Sequence, residues 1–210
     1  MPANVTFWNN LAEKYARQPV QNPAAFERKI AITKSLMQPS DVVLDVGCGT
    51  GSLALRLAES GALLHGLDSS SAMIHIAQGK AAAAGASNVT FHVGPFDDTF
   101  TTFESGSLHG VCAYSLLHLV DDLPATLRRI FALLKPGGFF VSSTVCLGQS
   151  WVPFGPVLTV MRWLGKAPHV TILRRGALEE EMTRAGFVDL VLHDVGADPN
   201  IAFLVARKPN

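Results

Sequence analysis

The sequence predicts an α/β protein with a mostly parallel sheet that finishes in an antiparallel hairpin. Three observations carry this reading. Apolar runs of five to nine residues alternate with helix-like segments, the rhythm of a sheet built by crossover connections. Most of the runs are nearly continuous rather than alternating, which suits parallel strands covered on both faces. The last two are separated only by Gly196-Ala197-Asp198-Pro199-Asn200, too few residues for a helical crossover, so that pair turns back on itself.

In chain order, residues 4–37 read as helical with a break between Pro19 and Pro23. Strands follow at 42–46, 63–67, 89–93, 110–114 and 138–145, with helices at 52–60, 70–84 and 123–134. Lys135-Pro136-Gly137-Gly138 ends the last helix and turns the chain into the fifth strand. A helix after residue 175 and strands at 187–195 and 201–207 complete the chain. The reading is one domain: an N-terminal helical segment (1–37), a core (38–150), a connecting segment (151–175) and a C-terminal helix and hairpin (176–210).

Charge and composition exclude several functions. Lys+Arg and Asp+Glu number 17 each, and only 16% of residues are charged against about 25% in an ordinary soluble domain. With no basic excess, binding to nucleic acid through a general electrostatic field is disfavoured. The apolar share is too high for disorder. No apolar stretch approaches the roughly 20 residues of a membrane-spanning helix, and no secretory signal is visible. Cys48, Cys112 and Cys146 are far apart, without zinc-binding spacing or a disulfide framework, so no metal site is expected and the expected location is the reducing cytoplasm.

The sharpest motif is Asp45-Val46-Gly47-Cys48-Gly49-Thr50-Gly51, an apolar strand running into three alternate glycines with a helix beyond. The glycines permit a tight turn and close approach of a ligand to the backbone. In a dinucleotide fingerprint the third glycine would fall at Ser52, and Asp45 would repel a pyrophosphate. A ligand with a cationic end, such as a nucleoside carrying an amino-acid tail, fits better. The next strand ends at Leu67-Asp68, where an acid can accept both ribose hydroxyls. The competing role for Asp68 is to cap the following helix with Ser69 and Ser70.

These residues resemble the class I S-adenosylmethionine-dependent methyltransferases, in the broad group that includes the ubiquinone and menaquinone biosynthesis enzymes. Asp45 to Gly51 resembles the family's first motif, Leu67-Asp68-Ser69-Ser70-Ser71-Ala72-Met73 its second, and Leu133 to Gly138 the entry to its fifth strand. The resemblance implies a Rossmann-like, doubly wound, seven-stranded sheet with a reversed last strand, and S-adenosylmethionine as cofactor. It sets Gly47, Cys48, Gly49 and Gly51 along the methionine moiety, Asp68 and Ser69 at the ribose and Met73 on the adenine. Many relatives place an acid after the third strand to bond the adenine amino group; here that position is Pro95. Either Phe96 stacks on the base or Asp97 reaches its amino group.

The methyl acceptor is expected beyond the fourth strand, where Tyr114 and Ser115 would pass the sulfonium and His118 would serve either as a general base or as a packed histidine. Trp8 and Tyr15 belong to an N-terminal segment resembling the family's lid; Tyr15 would touch the cofactor carboxylate or the acceptor, or the helix simply seals the sheet. A second cover is 151–164, almost entirely apolar, with Trp151, Phe154 and Trp163 as acceptor contacts. Residues 151–175 hold Arg162, Lys166, Arg174 and Arg175 and no acid, a formal charge of +4. The function these features imply is methylation of a small, hydrophobic molecule by a monomer or homodimer, with contact to a membrane surface open but neither nucleic acid nor stable membrane insertion. The alternatives are a quinone-ring or carboxyl methyltransferase at a membrane surface, and a cofactor-binding protein without catalysis.

Overall fold

The computed structural model describes residues 3–149, 155, 159, 161, 163 and 167–210. Seven strands, β1 (Val42–Val46), β2 (Leu63–Asp68), β3 (Val89–Val93), β4 (Leu108–Tyr114), β5 (Leu134–Val145), β6 (Val188–Leu192) and β7 (Ile201–Arg207), form one sheet in the order β3-β2-β1-β4-β5-β7-β6. Only β7 is antiparallel to its neighbours, slotted between β5 and β6. The α/β class and the reversed last strand are as expected. The strand order reverses direction between β1 and β4, the position where open α/β sheets leave a crevice for ligands.

The described helices are α1 (Ala3–Arg17), α2 (Pro23–Ser35), α3 (Ser52–Ala58), α4 (Ser71–Ala84), α5 (Leu123–Leu133) and α6 (Arg175–Arg184). Their starts follow local chemistry. The Asn22 side chain accepts from Ala25 N–H with Pro23 opening α2, Ser70 accepts from Met73 N–H, and Asp122 accepts from Ala125 N–H. Leu123, Leu127, Ile130 and Leu133 give α5 a single apolar face. The core lies on both sides of the sheet. Leu127, Ile130, Leu178 and Met182 of α5 and α6 pack on Val111, Phe140 and Leu204 on one face. Ile30, Leu53 and Leu57 of α2 and α3 pack on Val43, Cys112, Val141 and Phe203 on the other. All three cysteines are free and buried.

Burial on both faces holds for β1, β4 and most of β5 but fails at the sheet edges. Val93 is 56% exposed, and Val188, Val191 and Leu192 of β6 are also open, because an outermost strand has a neighbour on one side only. Strand β6 is shorter than the sequence indicates. Asp189 takes a left-handed φ of 53° and the pairing with β7 slips between Val188 and Val191, a bulge that ends regular pairing. Strand β5 starts earlier than expected, since Leu134 already pairs with Leu108 and the Pro-Gly-Gly turn becomes an irregularity within the ladder. The connection 94–107 contains no helix. Phe96 and Phe103 pack from this loop on the sheet alongside buried Phe100, and Phe103 meets His65 edge-on at 4.8 Å.

In the centre of the sheet, a Cβ added to Gly110 would land on the Phe139 ring of the adjacent strand. Gly110→Ala should therefore destabilise the fold by about 1–3 kcal/mol through overpacking, measured by urea denaturation. A midpoint equal to wild type would contradict this packing.

Candidate functional site

The site is built on the loop after β1. The carbonyl of Leu67, near the end of β2, accepts from Gly47 N–H at 2.7 Å and from Cys48 N–H at 3.1 Å. That double bond ties the end of β1 to the end of β2 and forces the chain through a tight curve. Gly47, Gly49 and Gly51 all lie at positive φ, between 54° and 74°, a region that strains any residue with a Cβ. Space adds to conformation: a Cβ on Gly47 would come within 2.8 Å of Leu116, and one on Gly51 within 2.7 Å of Phe91. A Cβ on Gly49 meets nothing within 4 Å, so its backbone faces open space where a ligand can approach.

Two carboxyl groups flank this loop. Asp45 is 1% exposed and its Oδ2 has no hydrogen-bond partner. Burial, reinforced by the charge of Asp68, pushes its pKa from the ordinary 3.8 to about 8. A buried acceptor without a partner is costly, and a cation-bearing ligand would relieve it. Asp68 accepts from Gly49 N–H at 2.9 Å through Oδ2 and from Ser70 N–H at 2.8 Å through Oδ1. It therefore bridges the glycine loop and the start of α4, while Ser70 does the capping. Its pKa is raised by burial, against the pull of those two bonds. Ser69 is half-buried beside it, and Met73 is 2% exposed in the first turn of α4.

The other expected residues divide into two groups. Gly94 N–H donates to the Asp68 carbonyl at 3.0 Å, which brings the segment after β3 alongside Asp68. Pro95 there is exposed. Phe96 is half-buried with the Arg129 guanidinium 5.3 Å from its ring. Asp97 is exposed and spends Oδ1 on the N–H and hydroxyl of Thr99. Ser115 holds a positive φ of 54° at the end of β4, with its N–H on the Ser143 carbonyl at 2.7 Å. Such strain in a non-glycine residue beside a ligand crevice is typical of functional positions. Tyr114 turns its hydroxyl to Thr33 Oγ1 at 2.8 Å, toward α2.

Helix α1 lies on α4 and forms the roof. Trp8 meets Tyr15 edge-on at 6.2 Å. Tyr15 is 45% exposed, and its pKa is raised by partial burial and then by the charge of Asp68. Asn9, which the sequence reading passed over, fixes the roof: its Oδ1 accepts from Ser70 Oγ at 2.6 Å and from Ala72 N–H at 3.2 Å. His118 is 8% exposed, with Nδ1 unpaired and its carbonyl accepting from Thr171 N–H. Burial lowers its pKa to about 4, so the ring is neutral near pH 7. Trp163 is 85% exposed; Trp151 and Phe154 lie outside the described residues. Also missed was Lys29, buried on the α2 stripe formed with Ala25 and Thr33. The four-residue spacing of those three positions was the available signal.

Residues 43–138 match the family model described as "Methyltransferase domain". The chain is 33% identical over 136 residues to a ubiquinone biosynthesis O-methyltransferase of Methylobacterium nodulans, covering 60% of this chain and 51% of that one. It is 30% identical over 142 residues to a demethylmenaquinone methyltransferase of Symbiobacterium thermophilum, covering 64% and 55%. The chain thus spans about half the length of these curated relatives. Among solved structures it resembles phosphoethanolamine N-methyltransferase 2 of Haemonchus contortus in complex with phosphomonomethylethanolamine and S-adenosylhomocysteine. That likeness has a TM-score of 0.73 at 21% identity, over 88% of this chain and 53% of the other, and speaks for the fold.

Asp45 has a measurable consequence. Between its ordinary value of 3.8 and about 8, the folded chain keeps a proton that the unfolded chain has lost, so stability falls as pH rises through that window. Asp45→Asn should flatten the fall and stabilise the ligand-free protein near neutrality, by on the order of a few kcal/mol. Urea denaturation of both proteins from about pH 5 to about pH 8 reads the difference. Parallel curves would mean that Asp45 is not protonated in the fold.

Proposed function

We propose that this chain, whose residues 43–138 match a methyltransferase domain, is a class I S-adenosylmethionine-dependent methyltransferase that binds S-adenosylmethionine and transfers its methyl group to a small, hydrophobic molecule. The observation that carries this reading is the pairing of the unpartnered Asp45 Oδ2 with a left-handed glycine loop whose Gly49 backbone is open. A dinucleotide would set a phosphate where Asp45 offers a carboxyl group. An amino-acid tail offers an ammonium group instead, and this donor set fits it.

When bound, the cofactor supplies a methyl group already activated by a positively charged sulfonium. The chain's own part is alignment and the exclusion of water. Asp45 takes the ammonium end, with Gly47, Cys48, Gly49 and Gly51 giving backbone contact beside it. Asp68 keeps its two backbone donors and offers its remaining lone pairs to the ribose hydroxyls, next to Ser69. Met73, Pro95, Phe96 and Asp97 frame the adenine side. Tyr114 and Ser115 mark the reacting end, with Ser115 held in its strained turn. Trp8 and Tyr15 close the site from α1, and the exposed Trp163 offers an aromatic face from the segment after β5. His118 fits the role of a hydrogen-bond acceptor that orients the methyl acceptor. A base with a pKa of about 4 is poorly matched to removing a proton near neutrality.

A second reading is favoured by the exposure of Trp163, Met161 and Ile172 in the segment that carries a formal charge of +4. This is methylation of a quinone-type or carboxyl acceptor at a membrane surface, where aromatic and basic groups together favour the interface. The similarity to quinone-biosynthesis methyltransferases supports it.

Calorimetry with S-adenosylmethionine and S-adenosylhomocysteine should give binding of both. Asp68→Ala should weaken each by about tenfold or more, as expected for loss of hydrogen bonds to a charged group. Incubation with phenols, thiols and quinols should then yield methylated product from one class. Binding without product from any of them would instead favour a cofactor-binding protein that does not catalyse. Absence of binding at millimolar ligand would refute the proposal.

A further inference from the structure

Lys29 is 8% exposed, in the middle of α2. Its Nζ donates to Ser143 Oγ at 2.8 Å and stands 5.9 Å from the Phe203 ring centroid. Among the described residues it forms no ion pair with a carboxylate, whereas Lys34 and Arg56 reach Glu59 and Glu27 on the outer surface. An ammonium has three donors, and one hydroxyl is thin compensation for removing it from water. Burial accordingly pulls its pKa down. Structure alone does not require a charge here, because Met would cover the same apolar surface without the cost.

The position of this ammonium is informative. Ser143 pairs with Tyr114 at the carboxyl end of β4 and with Phe203 of β7. Lys29 therefore stands at the ligand-bearing edge of the sheet, on the β4, β5 and β7 side of the point where the strand order reverses. Asp45, the glycine loop and Asp68 occupy the β1 and β2 side. The nearest polar neighbours are already engaged with one another: the Thr33 hydroxyl donates to the Lys29 carbonyl at 2.9 Å, and the Tyr114 hydroxyl, 2.8 Å from Thr33 Oγ1, has that oxygen and the same carbonyl as its alternative acceptors. These contacts hold the backbone of Lys29 while leaving its Nζ with Ser143 as its only hydrogen-bond partner among the described residues.

We propose that Lys29 and Ser143 form a subsite for an anionic group on the methyl acceptor, a carboxylate or an ionised phenol, so that the preferred acceptor is a hydrophobic acid. This rests on the methyltransferase reading above and names the acceptor class for it. The ammonium fixes the charged end of the molecule, with the fully buried Phe203 ring lying behind it as part of the core. No proton or electron moves at Lys29; its role is recognition.

The test uses 4-hydroxybenzoate and its neutral counterpart 4-hydroxybenzamide as probes, titrated by calorimetry into the full chain with and without S-adenosylhomocysteine. Wild type should bind the acid about tenfold or more tightly than the amide, the gain expected of a charge-assisted hydrogen bond. Lys29→Met should lose that preference and keep its affinity for S-adenosylhomocysteine, and Lys29→Arg should retain part of it. If Lys29→Met does not fold, Lys29→Gln takes its place, and the wild-type comparison still decides. Equal affinities in wild type, including no binding of either probe, would overturn the subsite, as would a preference surviving in Lys29→Met. Loss of S-adenosylhomocysteine affinity in that variant would overturn it too, by assigning the ammonium to the cofactor. Failure of wild type to bind S-adenosylhomocysteine, with the acid preference intact, would instead count against the cofactor reading alone.

Discussion

One carbonyl organises the site. Leu67 C=O receives the N–H groups of both Gly47 and Cys48, so the end of β1 cannot continue as a strand and must curl over the end of β2. Glycine at 47, 49 and 51 follows from that curl, since each lies at positive φ. The rest follows from the curl in turn. It presents the Gly49 N–H to Asp68, which also receives the Ser70 N–H and so sets the start of α4. The Ser70 hydroxyl then donates to Asn9 Oδ1 of α1, which sets α1 against α4. A short chain of hydrogen bonds thus links the end of β1 to α1.

This chain explains what the sequence makes legible. The glycine loop and Asp68 carry their geometry in residue type, because only glycine takes those φ values cheaply and an acid at a strand end is rare without a partner. The strands of the central sheet are legible for the same reason: β1 and most of β4 are buried on both faces, which the near-continuous apolar runs state directly. The edges are less legible, because β3 and β6 carry Val and Leu that remain exposed, and hydrophobicity alone does not say which strand is outermost. Asn9 was illegible, and Lys29 legible only as one position of a four-residue stripe with Ala25 and Thr33, for a different reason. Each acts across a long sequence separation, on Ser70 and Ser143 respectively, and a polar residue on a helix reads as solvated until its partner is known.

Some polar groups are left inside without partners. Among the described residues these include Asp45 Oδ2 of β1, Ser142 Oγ and Thr144 Oγ1 of β5, His118 Nδ1 in the loop after β4, and Arg129 Nε and Arg175 Nε of α5 and α6. Unpaired buried groups each cost about 1–3 kcal/mol of stability. Asp45 differs from the others in its place beside the glycine loop, where the open Gly49 backbone lets a ligand approach.

On the proposed methyltransferase reading, the two halves of the candidate site differ in sharpness for a chemical reason. A sulfonium donor would arrive already activated, so the chain would need a well-defined cradle for it and could leave the acceptor side to shape and solvent exclusion. Glycine geometry and the acids Asp45 and Asp68 are strict requirements and appear as a motif. Acceptor recognition needs only an apolar wall and a few polar groups, which any helix or loop can supply. Charge scarcity gives those few groups their weight. In a chain with 16% charged residues, most ion pairs sit on the outer surface, as Arg56 with Glu27 and Arg184 with Glu180 do. Lys29 departs from that pattern by placing a cation inside, at the same sheet edge as the glycine loop and, among the described residues, without a paired acid. An interior this poor in charge screens such a cation little, so a ligand anion there would be strongly selected over its neutral isostere.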